Sequence, residues 1–431
     1  MEIAIVMGLL IALIFSGLWI QMAVGVSAVI YIYLIQGVGG LKALGIVSWG
    51  SAESYTLSAI PLFVFMAEIL LGSGLSTRLY SGISPLIRKL PGGLLHTNVV
   101  GCGLFAAVSG GSAPTAAAMG TVALPELGKK GYNRKLAAGS LAAGGTLGIL
   151  IPPSITFIVY SMFTDTSIAQ LFMAGVVPGI VLMLLYMAYI AIRAFLQPEL
   201  APAHMSVSDE KVNYRQCLFD ILPLLILIII VLGSIYGGIA TPTEAGAIGT
   251  FGAIIIARMY KSFTFEIMKT ALRRTLVLSG NVLFIVFVSM IFAYATARSG
   301  VGEDLVDWFQ ALGLSQYQFL FGALVFYGVL GCFMEGLGMI AITVPILYPT
   351  LVAYGIDPIW FGVYIVILVE LGQLTPPLGV ILFVVASTWE EISIEEVVLG
   401  VLPFYLIIVA FVFLLIFFPD LALWFPRLMI N

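Results

Sequence analysis

Two stretches of this chain interrupt apolar sequence in the same way, 224 residues apart. The first reads AAVSGGSAPTAAAMGTVALPEL (106–127) and then GTLGILIPPSI (145–155). The second reads GVLGCFMEGLGMIAITVPILYPTL (328–351) and then LGQLTPPLGVI (371–381). Pro125 and Pro349, Pro152 and Pro376, Pro153 and Pro377, and Gly131 and Gly355 all keep the offset of 224, and Pro178 and Pro403 are 225 apart. Each copy places glycine with polar residues or proline inside an apolar tract, then breaks again at a Pro-Pro pair. Interrupted apolar segments at matching places in two halves point to a transporter binding site.

Lipid must be the solvent for most of this surface. Of the 431 residues, 61% are hydrophobic and 9% charged, against about 25% charged in a soluble domain. A net charge of -4 gives no reason to expect a nucleic-acid partner. Cys102, Cys217 and Cys332 are scattered and form neither a disulfide framework nor a thiolate metal site. His96 and His204 make no HExxH pair, which argues against a zinc hydrolase. The N-terminal stretch lacks the basic region and cleavage site of a signal peptide and reads as a retained first span.

A helix crosses ~30 Å of hydrocarbon with roughly 20 apolar residues. Crossings are expected at 3–20, 22–38, 56–75, 174–195, 221–236, 242–257, 276–297 and 398–418, and longer tracts remain at 94–127, 136–163, 318–353 and 359–388. Lys and Arg collect in cytoplasmic loops. They flank 94–127 on both sides (Arg78, Arg88 and Lys89 before it; Lys129, Lys130, Arg134 and Lys135 after it) and cluster again at Lys211 and Arg215 and at Arg258 to Arg274. Placing all four clusters on one side makes 94–127 enter and leave by one face. As a straight helix that tract would be ~50 Å long, so a re-entrant hairpin with its tip at SGGSAPT (109–115) satisfies both length and charge. A second hairpin, 318–353 with its tip at CFMEGLG (332–338), then opens from the opposite side. The tracts 136–163 and 359–388 become crossings broken at their Pro-Pro pairs.

The fold class expected is therefore an all-α polytopic membrane protein of about ten crossings plus two re-entrant hairpins, arranged as an inverted repeat with both termini outside. The first repeat spans 1–196, a polar cytoplasmic linker 197–220, and the second repeat 221–431. The stretches 76–93 and 258–275 read either as amphipathic helices along the interface or as polar loops.

Backbone groups released from helical pairing in lipid cost several kcal/mol each unless something replaces the bond. At the first tip Gly110 and Gly111 allow a turn, and Ser109, Ser112 and Thr115 add hydroxyls. Pro152 and Pro153 leave carbonyls near Gly148 unpaired. Such hard neutral oxygens replace the hydration shell of an alkali ion, so Ser109, Gly110, Ser112, Thr115, Gly148 and Pro152 form a candidate first sodium site. Glu335, Gly336, Gly338, Gly372, Thr375 and Pro376 form the candidate second. Ser112, Pro153, Gly338 and Pro377 are candidate substrate contacts, because helix N-termini at the breaks present partial positive charge to an anion. The plainer reading is that Gly and Ser let membrane helices pack closely. Glu335, at the second tip, is an intramembrane acid and functional by default; its alternative is to anchor the tip through backbone N–H groups. For Glu68, Glu244 and Glu370 a structural role is as reasonable as a direct one. A hydrolase using Ser109 or Ser112 needs a nearby base, and neither histidine lies at a suitable depth, so no enzymatic activity and no cofactor is expected.

These motifs resemble the large membrane subunit of TRAP (tripartite ATP-independent periplasmic) transporters over nearly the whole length. The strongest stretch runs from SGGSAPTAAAMG through GTLGILIPPSI to AGVVPGIVL; TLSAIPLFVFMAEILL, GIATPTEAGAIG, GMIAITVPILYP, YGIDPIWFGV and LGQLTPPLGVILFVVA support it. Gly111 stands where many relatives have Ser, and Thr115 where some have Asp, so those contributions are absent here. The resemblance implies a sodium-coupled importer of organic acids (carboxylates) without ATP hydrolysis, embedded in a bacterial inner membrane. It also implies a small four-span membrane partner, a periplasmic solute-binding protein and an elevator-like motion. A stand-alone ion-coupled dicarboxylate or cation/proton carrier of the same architecture is the alternative.

Overall fold

The computed structural model describes residues 2–202, 213–377 and 379–430. The middle of the expected linker, including His204 and Lys211, lies outside the described residues, as does Leu378 in the second Pro-Pro motif. Among the described residues every regular element is helical. The first half holds α1 (Glu2–Phe15), α2 (Ile20–Gly40), α3 (Lys42–Ala52), α4 (Ala59–Gly72, after a 3-10 turn at Tyr55–Ser58), α5 (Leu75–Ile87), α6 (Leu94–Ser109), α7 (Ser112–Lys129), α8 (Arg134–Leu150), α9 (Ile155–Thr164) and α10 (Ile168–Leu196). The second holds α11 (Tyr214–Tyr236), α12 (Pro242–Met259), α13 (Phe265–Ser299), α14 (Val301–Ala311), α15 (Gln316–Leu330), α16 (Gly336–Ala353), α17 (Pro358–Leu374), α18 (Val380–Ser387), α19 (Ile394–Phe417) and α20 (Asp420–Ile430).

The offset of 224 recurs in the helix bounds. Ser112 and Gly336 open α7 and α16, Arg134 and Pro358 open α8 and α17, and Leu150 and Leu374 close the latter pair. The caps repeat as well. The Asn133 side chain accepts from the Leu136 N–H at the start of α8, and Asp357 accepts from the Ile359 and Trp360 N–H groups at the start of α17. Asp357→Ala should lower stability by about 1 kcal/mol, read as a lower thermal midpoint in detergent; an unchanged midpoint would show that tertiary packing alone holds that helix end.

Among the described residues seven helices are long and apolar enough to cross a membrane: Ile20–Gly40, Tyr55–Gly72, Ile168–Leu196, Tyr214–Tyr236, Phe265–Ser299, Gly336–Ala353 and Ile394–Phe417. The pair α8–α9, bent by 42°, makes an eighth. Three of the ten expected crossings are not among them. Helix α1 has 14 residues, α17 and α18 have 17 and 8, and each is shorter than the ~20 residues a perpendicular crossing takes. Helix α12 carries a polar first turn with Glu244 and ends near Arg258, which dilutes its apolar character. The stretch 258–275 and the crossing at 276–297 also come out differently. From Phe265 the chain is one 35-residue helix, ~50 Å long, because neither Pro nor Gly interrupts it before Gly280.

The helices pack as two groups. Helices α1–α5 and α11–α13 form one, with α4 on α12 and α13, α2 on α13, and α5 on α11. Helices α6–α10 and α15–α20 form the other around α8, which packs on α6, α7, α10, α17 and α19. Where α8 crosses α19 the backbones touch: a Cβ built on Gly139 would lie 2.0 Å from the Gly400 oxygen. At the end rich in basic residues, Arg78 pairs with Asp220 at 3.3 Å and lies over the Tyr260 ring, while Arg134 pairs with Glu391 at 3.0 Å. The first ties α5 to α11 and α12, and the second ties α8 to the loop before α19. The groups meet mainly where α16 lies against α13, with α14 packed on α16 at the junction, and where α4 and α5 lie against α6 and α7.

Candidate functional site

Helices α6 and α7 double back on each other through Gly110 and Gly111 alone. Gly110 has φ +61, a left-handed value that glycine adopts without Cβ strain. The break in α8–α9 follows from chain chemistry. The carbonyls of Gly148 and Ile149 would normally accept from residues 152 and 153, and both are prolines without an N–H. The Ser154 hydroxyl replaces one of the lost donors by bonding to the Ile149 oxygen.

This tip and this break are in contact. The Ile155 N–H donates to the Gly110 oxygen at 3.2 Å. A Cβ on Gly148 would lie 2.3 Å from the Gly111 oxygen. The Thr115 and Ser109 hydroxyls lie 2.7 and 3.3 Å from that same oxygen and touch each other. The Ser112 hydroxyl is buried and has no hydrogen-bond partner. Thus Ser109, Gly110, Ser112, Thr115 and Gly148 are gathered within one cluster, beside the prolines that release the Gly148 carbonyl.

The second tip is built differently. The chain turns between α15 and α16 at 331–335, and the Cys332 thiol donates to the Pro376 oxygen at 3.2 Å. A Cβ on Gly372 would lie 2.9 Å from Gly331 Cα, so here too the break lies on the tip. Its oxygens are more fully used, however. The Thr375 N–H donates to Gly372 at 3.0 Å and the Thr375 hydroxyl to Leu371 at 2.8 Å. At the offset of 224, Phe333, Gly336 and Met339 stand where the first tip has Ser109, Ser112 and Thr115, and Glu335 stands in place of Gly111. A carboxylate therefore takes the place of hydroxyls. Gly338 is not brought to the second break; it faces Ile20 and Ile285 of α2 and α13. Pro376 and Pro377 are exposed.

Both tips and both breaks border a cavity of about 150 Å³ between the two helix groups. Ser109 to Pro114 line it from the first tip, and Glu335 and Leu337 from the second. Ile149, Ile155 and Thr156 come from the first break, and Gln373 and Val380 from the second. Helices α4 and α13 close it with Val64, Ala67, Glu68, Leu278 and Val282. Thr115, Gly148, Pro152, Pro153, Gly336, Gly338, Gly372, Thr375, Pro376 and Pro377 are not part of this lining. Four helix N-termini converge here, since α7, α9, α16 and α18 begin at Ser112, Ile155, Gly336 and Val380. Each contributes partial positive charge.

The polar atoms facing this cavity are under-used. Ser112 Oγ and Gln373 Oε1 are buried without partners. Glu335 precedes α16 yet makes no capping bond, so the anchoring alternative is not realised through a cap. Glu68, by contrast, pairs with Arg274 at 3.6 Å. Glu244 closes a capping box with Thr241, accepting from its N–H at 2.8 Å, which is the structural role. Glu370 is fully buried away from the cavity. Sequence reasoning missed Gln373 and left Glu68 between a structural and a direct role. Gln373 sits inside the quoted LGQLTPPLG motif, where its polarity within an apolar tract was the available signal. His96 accompanies the Pro91 carbonyl at 2.7 Å, ~20 Å along α6 from Ser109, so among the described residues the serine hydroxyls have no imidazole beside them.

Residues 7–421 match the family described as tripartite ATP-independent periplasmic transporter, DctM component. The chain is 33% identical over 446 residues to the C4-dicarboxylate TRAP transporter large permease protein DctM of Rhodobacter capsulatus, covering 100% of both. It is 34% identical over 390 residues to the protein of that name from Pseudomonas aeruginosa, covering 90% of each. Among solved structures, the Alcanivorax borkumensis YdaH transporter superposes with a TM-score of 0.63 at 17% identity, over 90% of each chain. That likeness concerns the fold alone.

Proposed function

This chain belongs to the DctM-component family of tripartite ATP-independent periplasmic transporters as a large membrane subunit, and we propose that it imports carboxylates, C4-dicarboxylates first among them, with sodium as the driving ion. The observation that carries this reading is the convergence of four helix N-termini on one cavity that also holds the unpartnered Ser112 and Gln373 oxygens. Helix N-termini suit an anion. The side chains do not suit an anion alone, because among the described residues Glu68 and Glu335 are the only charged groups of the lining. A carboxylate next to Glu335 would be repelled unless positive charge entered with it. Sodium supplies that charge. The first cluster offers neutral oxygens from Ser109, Ser112, Thr115 and Gly148, and the second offers Glu335 with the Gln373 side chain.

In this reading the ten-crossing inverted repeat, with halves 1–196 and 221–431 joined by the cytoplasmic linker 197–220, places the tips back to back inside a bacterial inner membrane. The group around α8 moves as one body against α1–α5 and α11–α13, carrying the cavity across. A small four-span subunit and a periplasmic binding protein complete the assembly, and substrate arrives from the latter.

The test is uptake into proteoliposomes holding this chain and its small subunit, with the binding protein outside, screened over succinate, sugar acids and sialic acid. Uptake that requires both an inward sodium gradient and the binding protein is the expected result. Uptake indifferent to sodium would overturn the coupling, and uptake without a binding protein would favour the stand-alone carrier. Ser112→Ala removes one unpartnered oxygen, so half-saturation should need about tenfold more sodium. An unchanged sodium dependence would take the first tip out of the ion site.

A further inference from the structure

Beside the central cavity lies a larger one of about 690 Å³, bordered by Glu68, Pro114, Glu266, Lys269, Arg273 and Arg274. Glu68, Pro114 and Leu278 line both spaces, so the two adjoin at those side chains. The larger space sits against the first turns of α13, on the end of the protein where basic residues collect. Its cations are unequally matched. Arg274 pairs with Glu68, whereas Lys269 and Arg273 form no ion pair among the described residues. Glu68 is nearly buried, with its side chain 9% exposed, while Arg274 is 59% exposed. Their separation of 3.6 Å is long for a charge-assisted bond, which favours about 2.7–2.9 Å.

We propose that this vestibule is a second anion subsite on the release side, and that Glu68 is the internal counter-ion that a departing carboxylate displaces from Arg274. The inference rests on the reading that the central cavity holds a carboxylate. A carboxylate leaving that cavity past Pro114 and Leu278 meets Arg274 as the first cation on its way. While Glu68 holds the guanidinium, Arg274 is withheld from an anion, and only Lys269 and Arg273, offset in part by Glu266, attract one. When the substrate takes the guanidinium, Glu68 is left facing the cavity, where it repels the substrate from returning. Lys269 and Arg273 then offer the next cations toward the aqueous side. The exchange of one carboxylate for another keeps the guanidinium paired throughout, and the charge it releases is the Glu68 carboxylate that then faces the cavity.

The test is inhibition of uptake by carboxylate preloaded inside the vesicles, in the full assembly with binding protein outside, so that only molecules facing outward report. Succinate is the first probe; if the wild type does not take it up, the carboxylate that it does take up replaces it. In Glu68→Gln the freed Arg274 should hold anion from the lumen more tightly, and half-inhibition should occur at about tenfold lower internal concentration. Arg273→Gln and Arg274→Gln should each move it the opposite way. Arg273 lines the vestibule without pairing to Glu68, so its variant carries the test should the Arg274 variant fail to fold. Equal half-inhibition in wild type, Glu68→Gln and Arg273→Gln would overturn the subsite while leaving the central cavity reading intact. A wild type that takes up no carboxylate at all would overturn that reading and this inference together.

Discussion

Gly148→Ala should abolish sodium-driven uptake and lower the thermal midpoint in the same protein. The added carbon would lie 2.3 Å from the Gly111 oxygen and 2.7 Å from Thr115 Oγ1. The first is a backbone atom at a two-residue turn, so no rotamer change relieves the overlap. Overpacking of this kind costs about 1–3 kcal/mol. Here the cost falls on the atom toward which the Ser109 and Thr115 hydroxyls both point, so tip and break must part and the oxygen cluster opens. Gly372→Ala repeats the experiment at the second break with a milder contact, 2.9 Å from Gly331 Cα, and should leave measurable but weakened uptake. Gly233→Ala in α11 is the control, because nothing lies within 4 Å of its added carbon and alanine favours helix over glycine. If Gly148→Ala transported like the Gly233 variant, tip and break would not be a working unit.

Glu335→Gln should cut uptake at limiting sodium by about a hundredfold, the size expected when a charge facing a bound cation at close range is removed. The side chain borders the cavity and makes no capping bond to α16, so its carboxylate is available to a ligand, and the isosteric amide should leave the fold as it is. The signature is a rate restored in part by raised sodium, with the thermal midpoint unchanged. Loss that sodium does not relieve, together with a lower midpoint, would assign Glu335 to holding the hairpin. Glu244→Gln provides the contrast: its carboxylate serves the Thr241 capping box, so stability should respond and sodium dependence should not.

Much of the tertiary plan was legible because bilayers leave few choices. Two tracts too long for one crossing, flanked by basic residues on both sides or on neither, must fold back; the turn at Gly110–Gly111 falls inside the first expected tip and the turn at 331–335 overlaps the second, 332–338. Proline chemistry located both breaks to the residue. What failed was local and physical. Helix bounds read from hydropathy ran too far at the N-terminus, where α1 stops at Phe15 and not at residue 20, because an apolar run does not reveal where a helix stops. The stretch 258–275 was cut from the span that follows it, since charge marks an interface but does not end a helix. Gly338 was grouped with the second break by sequence nearness, yet on α16 it faces the opposite way.

From the sequence alone come the solvent of this protein, the two tips, the two Pro-Pro breaks and their equal spacing. Each is written in residues whose effect is intrinsic: glycine's freedom at φ, proline's missing N–H, the cost of charge in hydrocarbon. Only the packed structure determines that four helix starts share one cavity, that Gln373 and Glu68 border it, and that Arg274 waits behind Glu68. Those relations join residues as far apart in the chain as Glu68 and Gln373, 305 positions, and distance between elements is fixed by how their faces interlock, a property that no single stretch of sequence carries.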